Sequence, residues 1–207
     1  MALEIERKYL DVDHAALRQR LEALGAVRIG AWFEANTVYD DPARGLKARG
    51  TLLRLREKQG RFVLTLKEKP HAPPATGVKV YEEHETDVTD GPALGAILAG
   101  LGLAPAFRYE NIRENWRLFG CALCLDTLPF GLYLEIEGDE AGIEACAQAL
   151  ALPPEQASIA TYHELNRLHR AARSLPVEES FAFPAEQALR LRQELAHAPL
   201  DRPVEGA

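Results

Sequence analysis

Charged and aliphatic residues alternate with a period of two along much of the chain. From Thr51 to Lys58, Leu53 and Leu55 alternate with Arg54, Arg56 and Lys58. After Gln59-Gly60 the pattern returns, with Phe62, Leu64 and Leu66 set against Thr65, Lys67 and Lys69. Successive strand residues point to opposite faces, so these segments predict a hairpin with one charged and one apolar face. The same device occurs at Glu4-Ile5-Glu6-Arg7-Lys8, at Tyr81, Glu83, Glu85 and Asp87, and at Glu135-Ile136-Glu137. Further extended segments are expected over about 27–39, 106–119 and 121–127, the last turning at Pro129-Phe130-Gly131.

Helical periodicity fills the intervals. A helix capped by Asp11 or Asp13 runs to Leu24, with Leu17, Leu21 and Leu24 on one stripe and Gly25 as its stop. Others start at Pro92 and end near Gly100, run from an Asp139 cap to Leu150, and run from Ser158 to Arg173 after Pro153-Pro154. The basic stretch 44–50 reads as a short helix or loop, and the proline-rich residues 70–77 as a mobile loop. The result is an α+β chain of eight mostly hairpin-connected strands. If helices cover the aliphatic faces, the charged faces must point inward. That predicts an eight-stranded antiparallel closed β-barrel, a tunnel with a charged interior and helices packed outside. The tunnel domain takes residues 1–173, and 174–207 is a C-terminal extension with a helix beginning at Pro184 and a flexible tail.

Composition narrows the function. Among 207 residues, 47% are hydrophobic and 27% charged, which is ordinary for a globular protein. A net charge of -7 argues against a nonspecific nucleic-acid binder. No apolar run is long enough to span a membrane and the chain opens on a charged strand, so a cytoplasmic protein without membrane partners is expected. Cys121, Cys124 and Cys146 do not form a disulfide framework, and the three-residue offset of the first two sends them to opposite strand faces. They read as small core residues.

The inward set is expected to hold Glu4, Glu6, Glu83, Glu85, Asp126, Glu135 and Glu137 with Lys8, Arg54, Arg56, Lys58, Lys67, Lys69 and Arg113. Buried ion pairs rarely repay their desolvation, so a functional site accounts for this concentration better than a structural lattice does. Glu4 and Glu6 would meet Glu135 and Glu137 if the first and last strands are neighbours, giving hard oxygen donors for Mg²⁺ or Mn²⁺. The middle strands supply Arg54, Arg56, Lys67 and Lys69, a wall suited to several phosphates. A carboxylate-held metal facing a basic wall suits phosphoryl transfer or phosphoanhydride hydrolysis.

The ordered set Glu4-x-Glu6-x-Lys8, Leu53-Arg54-Leu55-Arg56, Leu64-Thr65-Leu66-Lys67, Arg113, Asp126, Glu135-x-Glu137 and Thr161-Tyr162-His163-Glu164-Leu165 resembles the CYTH superfamily, the triphosphate tunnel metalloenzymes. The resemblance covers about residues 1–170. It implies a small-molecule triphosphate substrate and a divalent metal on Glu4, Glu6, Glu135 and Glu137. It implies a triphosphate clamp of Lys8, Arg54, Arg56, Lys67 and Arg113, with Lys69 counted beside them. Lys8, Lys67, Arg113 and Asp126 would serve catalysis, Asp126 by orienting the basic residues or metal-bound water. Glu83 and Glu85 would be supporting acids. One departure stands out: the family commonly has a lysine two residues before the arginine matched by Arg113, and this chain has Asn111. Either Lys69 or Arg108 supplies that charge, or turnover is slower, or the substrate differs.

Three functions follow from the resemblance. The first is metal-dependent hydrolysis of inorganic triphosphate, thiamine triphosphate or a nucleoside triphosphate. The second is class IV adenylyl cyclase chemistry on ATP, and the third a noncatalytic polyphosphate- or nucleotide-binding module. Trp32, Phe33 and Tyr39 are expected in the core, and His163 and His169 as packing or surface residues. A closed barrel has no free strand edge, so a homodimer would join through helices or loops.

Overall fold

A computed structural model describes residues 2–70 and 77–196. The strands are β1 (Ala2–Leu10), β2 (Val27–Asp40), β3 (Leu52–Lys58), β4 (Arg61–Glu68), β5 (Lys79–Val88), β6 (Ala104–Leu118), β7 (Cys121–Leu128), β8 (Gly131–Glu137) and the two-residue β9 (Ala157–Ser158). The helices are α1 (His14–Ala23), the single turn α2 (Gly45–Ala48), α3 (Gly91–Gly100), α4 (Glu140–Ala149), α5 (Tyr162–Ala172) and α6 (Ala185–Ala196). Strand order is β5-β4-β3-β2-β6-β7-β8-β1, and β1 also pairs with β5, which closes the barrel. Every one of these pairings is antiparallel.

Local chemistry sets the corners. Gln59 and Gly60 both take left-handed backbone, φ 51° and 73°, as a two-residue turn between right-twisted strands requires. Phe119 and Gly120, φ 49° and 79°, make the same turn between β6 and β7, so Phe119 ends the strand rather than belonging to it. Asp13, Asp90 and Asp139 cap α1, α3 and α4 through their carboxylates.

The barrel closes because one residue of β1 belongs to two neighbours. Glu6 stands opposite Lys79 of β5 and opposite Glu137 of β8. The first and last strands of the barrel are therefore neighbours, with Lys8 facing Glu135 in register. The apolar faces of β1, β6, β7 and β8 meet α1 and α4 through Tyr9, Leu17, Leu21, Trp116, Leu123, Leu134, Ile136 and Ile143. Burying each such side chain contributes roughly 1.5–3 kcal/mol, which fixes the outward direction of these faces and so the inward direction of their charged partners. α3 covers Tyr39 and Leu55 with Leu98, and α6 packs Ala188 and Leu191 against Phe33, Ile112 and Phe183.

The expected helix from Ser158 begins later. Ala157 and Ser158 instead pair with Tyr9 and Lys8 of β1. The helix opens at Tyr162, where Thr161 and Glu164 form a reciprocal capping box. The C-terminal extension docks: Phe181 bridges to Tyr109 of β6, and α6 follows Pro184. The expected mobile loop lies, between Pro70 and Gly77, outside the described residues, as does the tail after residue 196. No described helix is long and apolar enough to cross a membrane. The three cysteines are free and buried, as small core residues.

Candidate active site in the barrel

A cavity of about 970 Å³ occupies the barrel. Strand alternation delivers Glu4, Glu6 and Lys8 from β1, Arg54 and Arg56 from β3, Lys67 from β4 and Glu83 and Glu85 from β5. It also delivers Arg113 from β6 and Glu135 and Glu137 from β8. Residues from both ends of a 171-residue stretch thus share one chamber because the sheet closes between β1 and β5.

The basic wall is held by polar contacts but retains donors. Arg54 Nη1 donates to Tyr109 Oη at 3.1 Å, and its Nη2 to Thr65 Oγ1 at 3.3 Å. Arg56 lies 3.8 Å from Glu34. Arg54 Nε and Arg56 Nε are buried without a hydrogen-bond partner among the described residues. Such donors are costly to leave unmatched, and an anion in the cavity would match them. Lys67 Nζ reaches Glu4 at 2.5 Å and Glu83 at 3.2 Å.

Asp126 stands behind this wall rather than on it. It is fully buried, does not line the cavity, and grips Arg113 through Nε at 2.8 Å and Nη2 at 2.6 Å. Tyr162 Oη donates to the same carboxylate at 2.7 Å, and Asn111 Nδ2 donates at 3.2 Å. Burial opposes the charge on Arg113, but Asp126 and Glu135 hold its pKa well above the usual guanidinium range.

The acids divide into two groups. Lys8 bridges Glu6 at 2.8 Å and Glu135 at 2.5 Å, and Lys79 takes Glu6 at 2.8 Å. Burial disfavours charge on Glu135, yet Lys8 and Arg113 hold its carboxyl far below the usual range. Glu137 is the contrary case, with no ion pair among the described residues. Its side chain keeps contact with solvent, yet partial desolvation in the cavity wall, and next the charge of Glu4, push it up to about 7. Burial likewise raises Glu83, with Glu4 and Glu85 adding to it against Lys67. Lys67 and Arg54 are set against the three acids Glu4, Glu83 and Glu137 in the contacts among the described residues, so carboxylates outnumber cations on this wall. Hard oxygen donors of this kind suit a divalent cation such as Mg²⁺ or Mn²⁺. Among the described residues no three acid, His or Cys side chains already converge as a coordinating group. Lysines instead take up Glu4, Glu6 and Glu135.

Two expected members lie elsewhere. Lys69 is exposed beyond the end of β4, and its stem lies over Gly50, where a Cβ would come within 2.8 Å of Lys69 Cε. Arg108 is exposed on the outer face of β6. Neither side chain enters the cavity, so neither stands in for a lysine at Asn111. Lys58 sits over the Trp32 ring, 3.6 Å from its centroid, and does not line the cavity.

Sequence reasoning missed Glu34, 2% exposed inside the barrel. Burial opposes its ionisation, but Arg56 and Arg113 hold its pKa low. Asn111 Nδ2 lies 3.4 Å from Glu34 and Asn36 Nδ2 donates to Asn111 at 3.2 Å, so a neutral amide joins two buried acids. Lys79, Tyr109 and Tyr162 were missed as well. The signal for Glu34 was present, because Trp32, Glu34, Asn36, Val38 and Asp40 alternate with Phe33, Ala35, Thr37 and Tyr39. His163 packs between Phe107 and Phe181, at ring centroids 4.5 and 5.3 Å away, and burial lowers its pKa to about 4.

The model of the CYTH domain matches residues 2–172. No curated protein matches the sequence. Among solved structures, a candidate adenylate cyclase from Vibrio parahaemolyticus superposes with TM-score 0.68 and 22% identity, over 79% of this chain and 97% of that one. A Pyrococcus horikoshii protein gives 0.65 and 25%, over 78% and 98%. A candidate adenylyl cyclase from Hippeastrum, described as having a dominant triphosphatase activity, gives 0.59 and 19%, over 86% and 99%.

Proposed function

Because the chain belongs to the CYTH domain family, we propose that it is a divalent-metal-dependent phosphohydrolase acting on triphosphate compounds. The observation that carries this reading is the convergence of Arg54, Arg56, Lys67 and Arg113 with Glu4, Glu6, Glu135 and Glu137 on one cavity. Planar guanidiniums and an ammonium on one side suit a chain of phosphates, whose charge they neutralise. Glu4, Glu6, Glu135 and Glu137 would hold Mg²⁺ or Mn²⁺, which when bound supplies charge neutralisation and an acidified water.

The protein's own part is positioning and electrostatics. Arg54 and Arg56 bind phosphate oxygens through their guanidinium groups, whose Nε donors make no hydrogen bond among the described residues. Arg113, kept rigid by Asp126, offers charge in a fixed direction to the phosphoryl group under attack. Water adds to the terminal phosphorus, the bond to the bridging oxygen breaks, and orthophosphate leaves with the remaining diphosphate. Lys8, closed between Glu6 and Glu135, orders the acids rather than meeting the substrate alone.

A second reading is favoured by the apolar part of the cavity, where Val38, Leu52, Phe107 and Val177 leave room for an organic group. In that reading the ribose 3′-hydroxyl of ATP attacks the α-phosphorus and pyrophosphate departs. Incubation with inorganic triphosphate, thiamine triphosphate and ATP, each with Mg²⁺ or Mn²⁺, separates the cases. Orthophosphate marks hydrolysis, and cyclic AMP with pyrophosphate marks cyclisation. Tight binding without turnover marks a noncatalytic module and ends both enzymatic readings.

A further inference from the structure

The segment after α5 lies beyond the residues matched by the family model, yet it builds part of the cavity wall through Leu175, Val177, Glu178 and Glu179. It is fastened along its length. Arg170 Nε donates to Pro176 O at 2.7 Å, and the buried Asn166 Nδ2 donates to Glu178 O at 2.9 Å. Phe181 N–H donates to Arg108 O at 3.1 Å, and Phe181 O accepts from Glu110 N–H at 3.0 Å. The segment is thereby held in place on either side of Glu179.

Glu179 is thus presented to α2 and to the residue before it. Its two carboxylate oxygens take different cations, Oε2 the guanidinium of Arg44 and Oε1 the ammonium of Lys47. Lys47 lines the cavity, and the Arg44 guanidinium lies over Phe107, another lining residue, 5.5 Å from the ring centroid. Two cations therefore stand at the cavity mouth with one carboxylate bridging them, as a phosphate would. All three groups keep contact with solvent: Arg44 is 29% exposed, Glu179 42% and Lys47 61%. An ion pair so exposed is weak, whereas a phosphate group brings more charge and more acceptor oxygens to the same cations.

We propose that Arg44 and Lys47 form a phosphate-binding subsite at the cavity mouth, occupied by Glu179 until an incoming triphosphate displaces it. The subsite rests on the reading of the barrel as a triphosphate site. Glu179 is then a self-inhibitory group contributed by the C-terminal extension, and its removal strengthens substrate binding instead of weakening it. A carboxylate that merely fastened the segment would have the opposite effect, since its loss would loosen the wall.

The test is calorimetric binding of inorganic triphosphate, with and without Mg²⁺, at low salt. Glu179→Gln is expected to tighten binding roughly two- to five-fold, the scale of an exposed ion pair. Lys47→Ala is expected to weaken binding, and adding Glu179→Gln to an Arg44→Ala/Lys47→Ala background is expected to change nothing further. Asp87→Asn removes the same charge from a pair with Arg61 that does not line the cavity, and is expected to leave affinity unchanged. Unchanged or weaker binding by Glu179→Gln, or equal tightening by Asp87→Asn, overturns the subsite alone. If the unsubstituted protein binds no triphosphate under either condition, the reading of the barrel falls and takes the subsite with it.

Discussion

Asp126 holds Arg113 from behind, with two parallel hydrogen bonds of 2.8 and 2.6 Å between guanidinium and carboxylate. The pair makes a fully buried acid the support of a cavity-facing base. Two-point contact fixes the plane of the guanidinium as well as its position, which a single bond would not do. Tyr162 then ties that support to α5, so a helix outside the barrel helps to aim a charge inside it.

Removing the support leaves a buried cation short of its partner. Asp126→Ala is expected to cost about 3–5 kcal/mol of stability, the scale for breaking a buried ion pair by deleting one member. Tyr162→Phe deletes one donor only, and about 1–2 kcal/mol is expected. Urea unfolding of both variants checks the order; a smaller loss for Asp126→Ala than for Tyr162→Phe would contradict the arrangement.

Arg54 and Arg56 sit on the same strand face but are held differently. Arg54 bonds Tyr109 and Thr65, whereas among the described residues Arg56 has only the longer 3.8 Å contact with Glu34. Arg56→Ala is therefore expected to weaken triphosphate binding about 10- to 100-fold, the value of one charge-assisted contact, with a smaller loss of melting temperature than Arg54→Ala because Arg113 still faces the buried Glu34. Arg54→Ala is expected to lose both affinity and stability. Calorimetry paired with thermal unfolding separates the two, and unchanged affinity in Arg56→Ala would remove it from the clamp.

The barrel was legible because its evidence is parity. A charged residue two positions from another charged residue, with leucine between them, fixes which face points where, and closure follows from needing both faces covered. Parity does not tell where a strand ends, which is why Lys69 continued the pattern of Lys67 in sequence but lies outside the chamber. Nor does it survive adjacent aromatics: Trp32-Phe33 obscured the alternation that places Glu34 and Asn36 inside. Tyr162 was legible as part of a motif but its bond to Asp126 was not, because a helix residue meets Asp126 only through tertiary packing. Asn111 was legible as a departure, but its role in joining Glu34 to Asp126 required the register of β2 against β6.

Burial among Phe107, Tyr109 and Phe181 keeps His163 neutral, with its pKa lowered to about 4 although Glu179 pulls the other way. An unfolded histidine titrates at 6.5. Above that pH both states are neutral and nothing is lost. As pH falls from 6.5 towards 4, the unfolded chain takes a proton that the native state refuses, so stability falls by about 1.4 kcal/mol per unit. Between pH 7.5 and 5 the native protein is expected to lose about 2 kcal/mol more than His163→Phe does. Equal losses in the two proteins, measured by urea unfolding at both pH values, would show that the ring titrates freely.

Glu137 supplies the sharpest check on metal dependence. Partial desolvation and Glu4 push its carboxyl up to about 7 although the side chain keeps contact with solvent, so in the metal-free protein it is expected to take up a proton below neutrality. A cation needs the ionised oxygen, and binding must then expel that proton. Mn²⁺ affinity is accordingly expected to rise up to tenfold per pH unit on the acid side and to level off above about 7. Calorimetry in buffers of different ionisation enthalpy counts the proton directly: close to one is expected at pH 6, and close to none from this group at pH 8.5. Glu137→Gln is expected to bind Mn²⁺ more weakly and to lose that proton from the count. A native protein whose Mn²⁺ affinity stays flat from pH 6 to 8 would exclude Glu137 from the proposed metal-binding acids, and would leave Glu4, Glu6 and Glu135 to explain any metal requirement alone.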